Sequence, residues 1–149
     1  MTHNDLLRSL RYILNVSDTK IVEILELGGY LAFLDEVVSY LRHEDESDFR
    51  MCPDEVMAYF LDGLIIHKRG RDETRPLQPI EVPITNNDAL KKLRVAFSLK
   101  DTDLIRLIEK SGTVKVTKSE LGAFFRHREH RNYRECGDQY LRQLLKALG

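Results

Sequence analysis

The chain has 149 residues, 42% hydrophobic and 32% charged, with 8 Gly and 4 Pro, which excludes collagen, low-complexity disorder and a disulfide scaffold. Two cysteines, no tryptophan, and a start (Met1 to Asp5) without the basic and apolar regions of a secretory leader predict a reducing, cytoplasmic setting. The most apolar stretch, 21–38, is interrupted by Glu23, Glu26, Asp35 and Glu36, so no membrane span is expected.

Taken from the N-terminus, the first amphipathic helix is expected to open at an Asn4-Asp5 cap and to turn Leu6, Leu7, Leu10, Ile13 and Leu14 to one side. A second opens at Ser17-Asp18, faces Ile21, Ile24 and Leu25 inward, and stops at Gly28-Gly29, where glycine can take the left-handed conformation. A third is expected next and is better marked in the second copy. The fourth starts with Pro53 at its first position and Asp54 at the positive helix end. It buries Val56, Met57, Phe60, Leu61 and Leu64 and ends near Gly70.

This order then repeats. Asn4-Asp5-Leu6-Leu7-Arg8-Ser9-Leu10-Arg11 aligns with Asn87-Asp88-Ala89-Leu90-Lys91-Lys92-Leu93-Arg94, and Asp18-Thr19 with Asp101-Thr102. Gly29 falls on Gly112. After one single-residue slip, Arg42-His43 falls on Arg126-His127, Cys52 on Cys136, Asp54 on Asp138, and Leu64 on Leu148. An internal duplication is the simplest account. In the second copy Thr117 and Glu120 form a capping box ahead of Leu121, Phe124 and Phe125; the first copy lacks it.

Residues 71–86 carry Pro76, Pro79 and Pro83, which exclude a continuous helix, and Ile80, Val82 and Ile84 alternate as in a short extended piece. The expected organisation is therefore all-α: an acidic repeat over 1–70, a linker over 71–86 and a basic repeat over 87–149. A unit of about 65 residues buries only about 60% of its unfolded surface. The two four-helix repeats are accordingly expected to pack as one pseudo-two-fold helical domain around a common apolar interior, with an extended proline-containing linker.

Several segments carry a family resemblance: Asn4-Asp5 with Leu10-Arg11-Tyr12, Cys52-Pro53-Asp54, Gly63-Leu64-Ile65 with Lys68-Arg69-Gly70, Leu90 to Arg94, and Arg134-Glu135-Cys136-Gly137-Asp138-Gln139. In these the chain resembles the YehS-like family, bacterial proteins grouped as a domain of unknown function. The resemblance spans nearly the whole chain. It implies an all-helical bacterial cytoplasmic protein, and it carries no activity or catalytic residues.

Charge divides the copies. Residues 1–67 hold 5 Lys and Arg against 13 Asp and Glu, a net of -8, while 87–149 hold 14 against 8, a net of +6. The two halves can complement one another, or the basic one can face an acidic partner. Arginines interleaved with aromatics from Phe124 to Arg134 suit phosphate contacts and base stacking, making Lys91, Lys92, Arg126, Arg128, Arg131 and Arg134 the candidate nucleic-acid contacts. Asp101–Lys110, the turn Ser111 to Thr113 and the helix from Thr117 resemble a helix-turn-helix, although the connection is longer than the usual turn.

Chemistry is sparse. The recurrent pairs His43 with Cys52 and His127 with Cys136 would supply the donors of a tetrahedral zinc site if they met. A helix start just after each cysteine would favour thiolate, opposed by Asp54 and Asp138. No P-loop, GxGxxG, GxSxG or HExxH motif occurs, and the acidic run 44–48 lacks the glycine and terminal Glu of an EF-hand. Arg11 with Asp54, and Arg94 with Asp138, are expected to pair within each copy and hold its first helix to its last. No cofactor is expected. The leading expectation is a non-enzymatic interaction or regulatory module binding an unidentified protein partner; the second is a nucleic-acid binder using the basic repeat.

Overall fold

The structure, a computed structural model, describes residues 1–149. It contains eight helices and no strand. The chain divides into two compact units, 1–84 and 85–149. The first holds α1 (His3–Leu14), α2 (Asp18–Gly28), α3 (Leu34–Leu41) and α4 (Asp54–Arg69); the second holds α5 (Asn86–Ala96), α6 (Asp101–Glu109), α7 (Lys118–Phe124) and α8 (Asp138–Leu148). The four-helix order expected for each copy is thus the order observed along the chain.

Each unit buries its own apolar set. In the first, Leu7 and Leu10 of α1, Ile21, Ile24 and Leu25 of α2, Val37 of α3 and Met57, Phe60, Leu61 and Leu64 of α4 are almost wholly withdrawn from solvent. In the second, Leu90 and Leu93, Leu104 and Ile108, Leu121 and Phe124, and Leu141 and Leu144 do the same from their four helices. The 3.6-residue spacing of apolar positions is what puts each set on one face.

The helix starts differ from expectation by a residue or two, for a chemical reason. Thr2, not Asn4, caps α1: its hydroxyl accepts the Asp5 N–H at 3.1 Å, and the Asp5 carboxylate accepts the Thr2 N–H at 2.9 Å. Thr85 and Asp88 repeat this box on α5 with distances of 3.2 and 2.9 Å. The second repeat therefore begins at a threonine assigned to the linker by sequence. Pro53 stands at the N-cap of α4 rather than inside it, with extended backbone. The expected Thr117–Glu120 box is present on α7, and α3, which starts after Phe33, has no side-chain cap.

Residues 70–84 contain neither helix nor strand. They end on α4, where the Ile84 N–H donates to the Asp54 carboxylate at 3.3 Å.

Within the first unit, α2 and α4 cross so closely that only glycine fits at the contact. A β-carbon added to Gly63 would lie 1.9 Å from the Ile24 carbonyl oxygen, and one added to Gly28 would lie 2.0 Å from that of Tyr59. Both obstacles are backbone atoms, which cannot swing aside. Gly29 then ends the turn at φ 107°, a conformation that disfavours any side chain. At the corresponding positions the second repeat carries Ser111 and Ala147, so this approach belongs to the first unit alone. Gly63→Ala should destabilise the first unit by about 3 kcal/mol, the upper range for overpacking, measured by urea unfolding. Ala147→Gly in the second unit should cost no more than about 1 kcal/mol in the same assay.

Candidate functional site

The feature that recurs most faithfully is an inward-facing asparagine. Asn4 is 1% exposed and Asn87 is 3% exposed, although each sits in the first turn of a helix. The Asn4 amide donates to the carbonyls of Tyr40 at 2.9 Å and Arg50 at 2.8 Å, and its oxygen accepts the Cys52 N–H at 3.0 Å. Asn87 does the same with Phe124 (3.0 Å), Arg134 (2.8 Å) and Cys136 (2.9 Å). One side chain thereby ties the end of α3 or α7 to the last residues of the loop leading into the final helix of its unit. The helix-end carbonyls it meets are among those that a helix leaves without internal partners. Sequence reasoning took these asparagines for caps; the signal that separates the roles is the threonine two residues earlier.

Two loops with the same clamp carry opposite charge. In the first, Arg42 is compensated by Glu46 at 3.1 Å and Asp48 at 3.2 Å. In the second, Arg128 replaces Glu44, His130 replaces Glu46 and Asn132 replaces Asp48. Arg126, Arg128, Arg131 and Arg134 are all exposed, and none has a carboxylate partner. Arg126 instead meets His130 at 3.3 Å.

Three of these arginines, 126, 131 and 134, line an open cleft of about 390 Å³ together with Ser119, Asn132 and Tyr133. Glu120 also lines it, but its carboxylate is engaged by the Thr117 N–H at 3.3 Å and hydroxyl at 3.2 Å. Lys91 and Lys92 lie on α5, half-buried and outside the cleft lining, and Arg128 is likewise outside it. Near the ends of α6 and α8, Leu107, Lys110, Gln143 and Lys146 border a smaller open groove of about 220 Å³.

The proposed helix-turn-helix is not matched in its dimensions. α6 and α7 are joined by residues 110–117, and α7 has seven residues, fewer than two full turns.

The histidine–cysteine pairs do not make a metal centre. Cys52 and Cys136 are buried, His43 and His127 are exposed, and no group of three or more His, Cys, Asp or Glu side chains is placed to hold a metal ion. The thiolate reading is also corrected. Burial, reinforced by the charges of Glu36 and Asp54, pushes the Cys52 thiol up to about 12; burial and Asp138 do the same to Cys136. Proximity to a helix start is outweighed by desolvation of the charge. Both thiols are therefore neutral at physiological pH, and the native protein should react with Ellman's reagent at pH 8 at least a hundredfold more slowly than the urea-unfolded chain. Release of two thiols at the unfolded rate without denaturant would contradict the burial.

The expected Arg–Asp pairs are replaced by others. Arg11 lies 2.6 Å from Asp18 and Arg94 lies 3.2 Å from Asp101, each joining a first helix to the start of the second; Arg94 also covers the Phe125 ring at 4.7 Å. The last helix is reached from the opposite end: His3 meets Asp54 at 2.6 Å, and Asn86 donates to Asp138 at 2.7 Å. Eight residues separate His3 from Arg11, about 12 Å along a helix, so one aspartate cannot serve both. The His3 contact holds the Asp54 carboxyl below its ordinary range.

The first unit has one titratable cluster of its own. Glu36 accepts from the hydroxyls of Tyr30 and Tyr40, the latter at 2.7 Å, and Tyr30 stacks on Tyr59 with ring centroids 5.5 Å apart. The bond to Glu36, with burial, pushes the Tyr30 phenol up to about 12, and burial followed by the same carboxylate raises Tyr40. These phenols are held as neutral donors to a carboxylate, which is a structural arrangement.

Comparison with known proteins follows the same boundaries as the fold. The model of a protein family of unknown function, DUF1456, matches twice, over residues 3–70 and 86–149. The chain belongs to that family. It is 46% identical over 148 residues to the uncharacterized protein YehS of Escherichia coli (strain K12), a match covering 99% of this chain and 94% of that protein. No solved structure matches it. The two family matches include Thr85-flanked Asn86, in agreement with the helix start at that residue, and they leave 71–85 between the copies. No helix in this DUF1456 protein is long and apolar enough to cross a membrane.

Proposed function

We propose that the protein is a non-enzymatic interaction module that binds another macromolecule, and that its second unit makes the contact with nucleic acid. The observation that carries this reading is the arginine cleft. Three guanidinium groups that make no ion pair, together with a tyrosine, line an open space of about 390 Å³ on a loop tied down by Asn87. Guanidinium forks suit phosphate oxygens, and an aromatic ring offers a base a stacking surface. The first unit has the same loop and clamp but answers its arginine with Glu46 and Asp48, so the positive field is not required by the fold.

Single strands are favoured over duplex. The helix that leads into the arginine loop, α7, has only seven residues, and Arg126, Arg131 and Arg134 line a cleft beside that loop rather than a helix face. The two free, buried cysteines fit a reducing, cytoplasmic setting for such a module.

A fluorescently labelled 20-nucleotide single strand, titrated at 50 and 200 mM salt, tests this. Binding should weaken with salt, and the combined variant R126A/R131A/R134A should bind at least tenfold more weakly. Its log–log salt slope should fall by about 2, since each single-strand phosphate contact contributes about 0.7. No binding by the intact protein at 50 mM salt would end this reading.

A further inference from the structure

The α2–α3 corner of the first unit departs from its twin in a way that stability does not explain. Where Thr117 caps α7, Phe33 stands before α3 and supplies no cap hydrogen bond. Phe33 is also 80% exposed, so the aromatic ring gains no burial in return. Beside it Leu31 is 78% exposed, Leu34 46% and Leu27 40%. At the positions of Leu27, Phe33 and Leu34 the second repeat carries Lys110, Thr117 and Lys118, which shows that the fold accepts polar residues there. Four large apolar side chains left exposed within eight residues of one helix corner, one of them in place of a favourable cap, mark an interaction surface.

The corner is also held rigid. Gly28 and Gly63 lock α2 against α4, Tyr30 stacks on Tyr59, and Glu36 takes the Tyr30 and Tyr40 hydroxyls. In the second repeat the matching Glu120 is spent on the Thr117 cap; the loss of that threonine leaves Glu36 available for the tyrosines. One substitution thus exposes the ring and frees the carboxylate that braces the corner beneath it.

Charge identifies the occupant. Glu26 and Asp35 are exposed, adjoin Leu27 and Leu34 in the chain, and have no cationic partner. The surrounding unit carries 9 Lys and Arg against 16 Asp and Glu over residues 1–84. A second copy of the same acidic surface would be repelled. We infer that the ridge formed by Leu27, Leu31, Phe33 and Leu34 is a docking site for a basic amphipathic helix of a partner protein, its apolar stripe on the ridge and its lysines or arginines toward Glu26 and Asp35. This goes beyond the nucleic-acid reading, which concerns the other unit.

The test uses an 18-residue synthetic peptide with leucine at helical spacing and lysine elsewhere, a scrambled peptide of the same composition, and a version with glutamate for lysine. Titrated into the full-length protein by calorimetry, the first should bind at least tenfold more tightly than either control. Phe33→Thr should weaken that binding at least tenfold while the protein melts no lower than wild type, because the cap seen at Thr117 becomes available. E26K/D35K should weaken it at least fivefold, and R126A/R131A/R134A should leave it unchanged, which separates this surface from the arginine cleft. Equal binding of scrambled and amphipathic peptides, no loss in F33T, or concentration-dependent self-association abolished by F33T would each overturn the proposal, the last by naming a second copy as the occupant.

Discussion

A buried primary amide with all of its partners supplied by backbone is the constraint on which each repeat is built. Asn4 and Asn87 each use both amide protons and the carbonyl oxygen, and every partner is a main-chain group that would otherwise be short of one. A hydrogen bond of this kind contributes about 1 kcal/mol net, but each buried group left unmade costs about 1–3 kcal/mol, so the three bonds stand or fall together. Their effect is geometric as much as energetic. They fix a loop of irregular backbone between two helices, and they do so from the first turn of the helix that opens the repeat.

With the frame fixed in this way, the surfaces were free to diverge. The clamped loop is acidic and self-compensated in the first unit and arginine-rich and uncompensated in the second. The α2–α3 corner is apolar in the first, and its counterpart carries lysines and a capping threonine in the second. The close glycine crossing of α2 and α4 has no counterpart in the second unit. Duplication here produced two copies of one scaffold with unlike faces.

Much of the scaffold can be read from the residues. Apolar spacing placed α1, α2 and α4, the internal repeat carried that order into the second copy, and the capping pattern Thr117–Glu120 located α7 because short-range chemistry decides it. Longer-range choices were less legible. Asn4 reads as a cap because asparagine favours caps, and only the competing threonine two residues earlier shows that the role is taken. Arg11 and Arg94 found aspartates at the neighbouring helix start, a local contact that forestalls the distant one expected from their recurrence. The cysteines precede helix starts, yet burial governs their protonation. The arginine stripe was visible in the sequence; that three of its members surround a cleft, with Lys91 and Lys92 outside it, depends on where the clamp holds the loop.

Amide hydrogen exchange at Cys136, in the native protein and in Asn87→Ala, tests the clamp most directly. The Cys136 N–H lies outside any helix, yet it should exchange as slowly as the core amides of α8 while Asn87 holds it. In the variant it should exchange at least tenfold faster, with the Cys52 amide in the first unit unchanged. Rapid exchange at Cys136 in the native protein, or a rate indifferent to the loss of Asn87, would contradict the account.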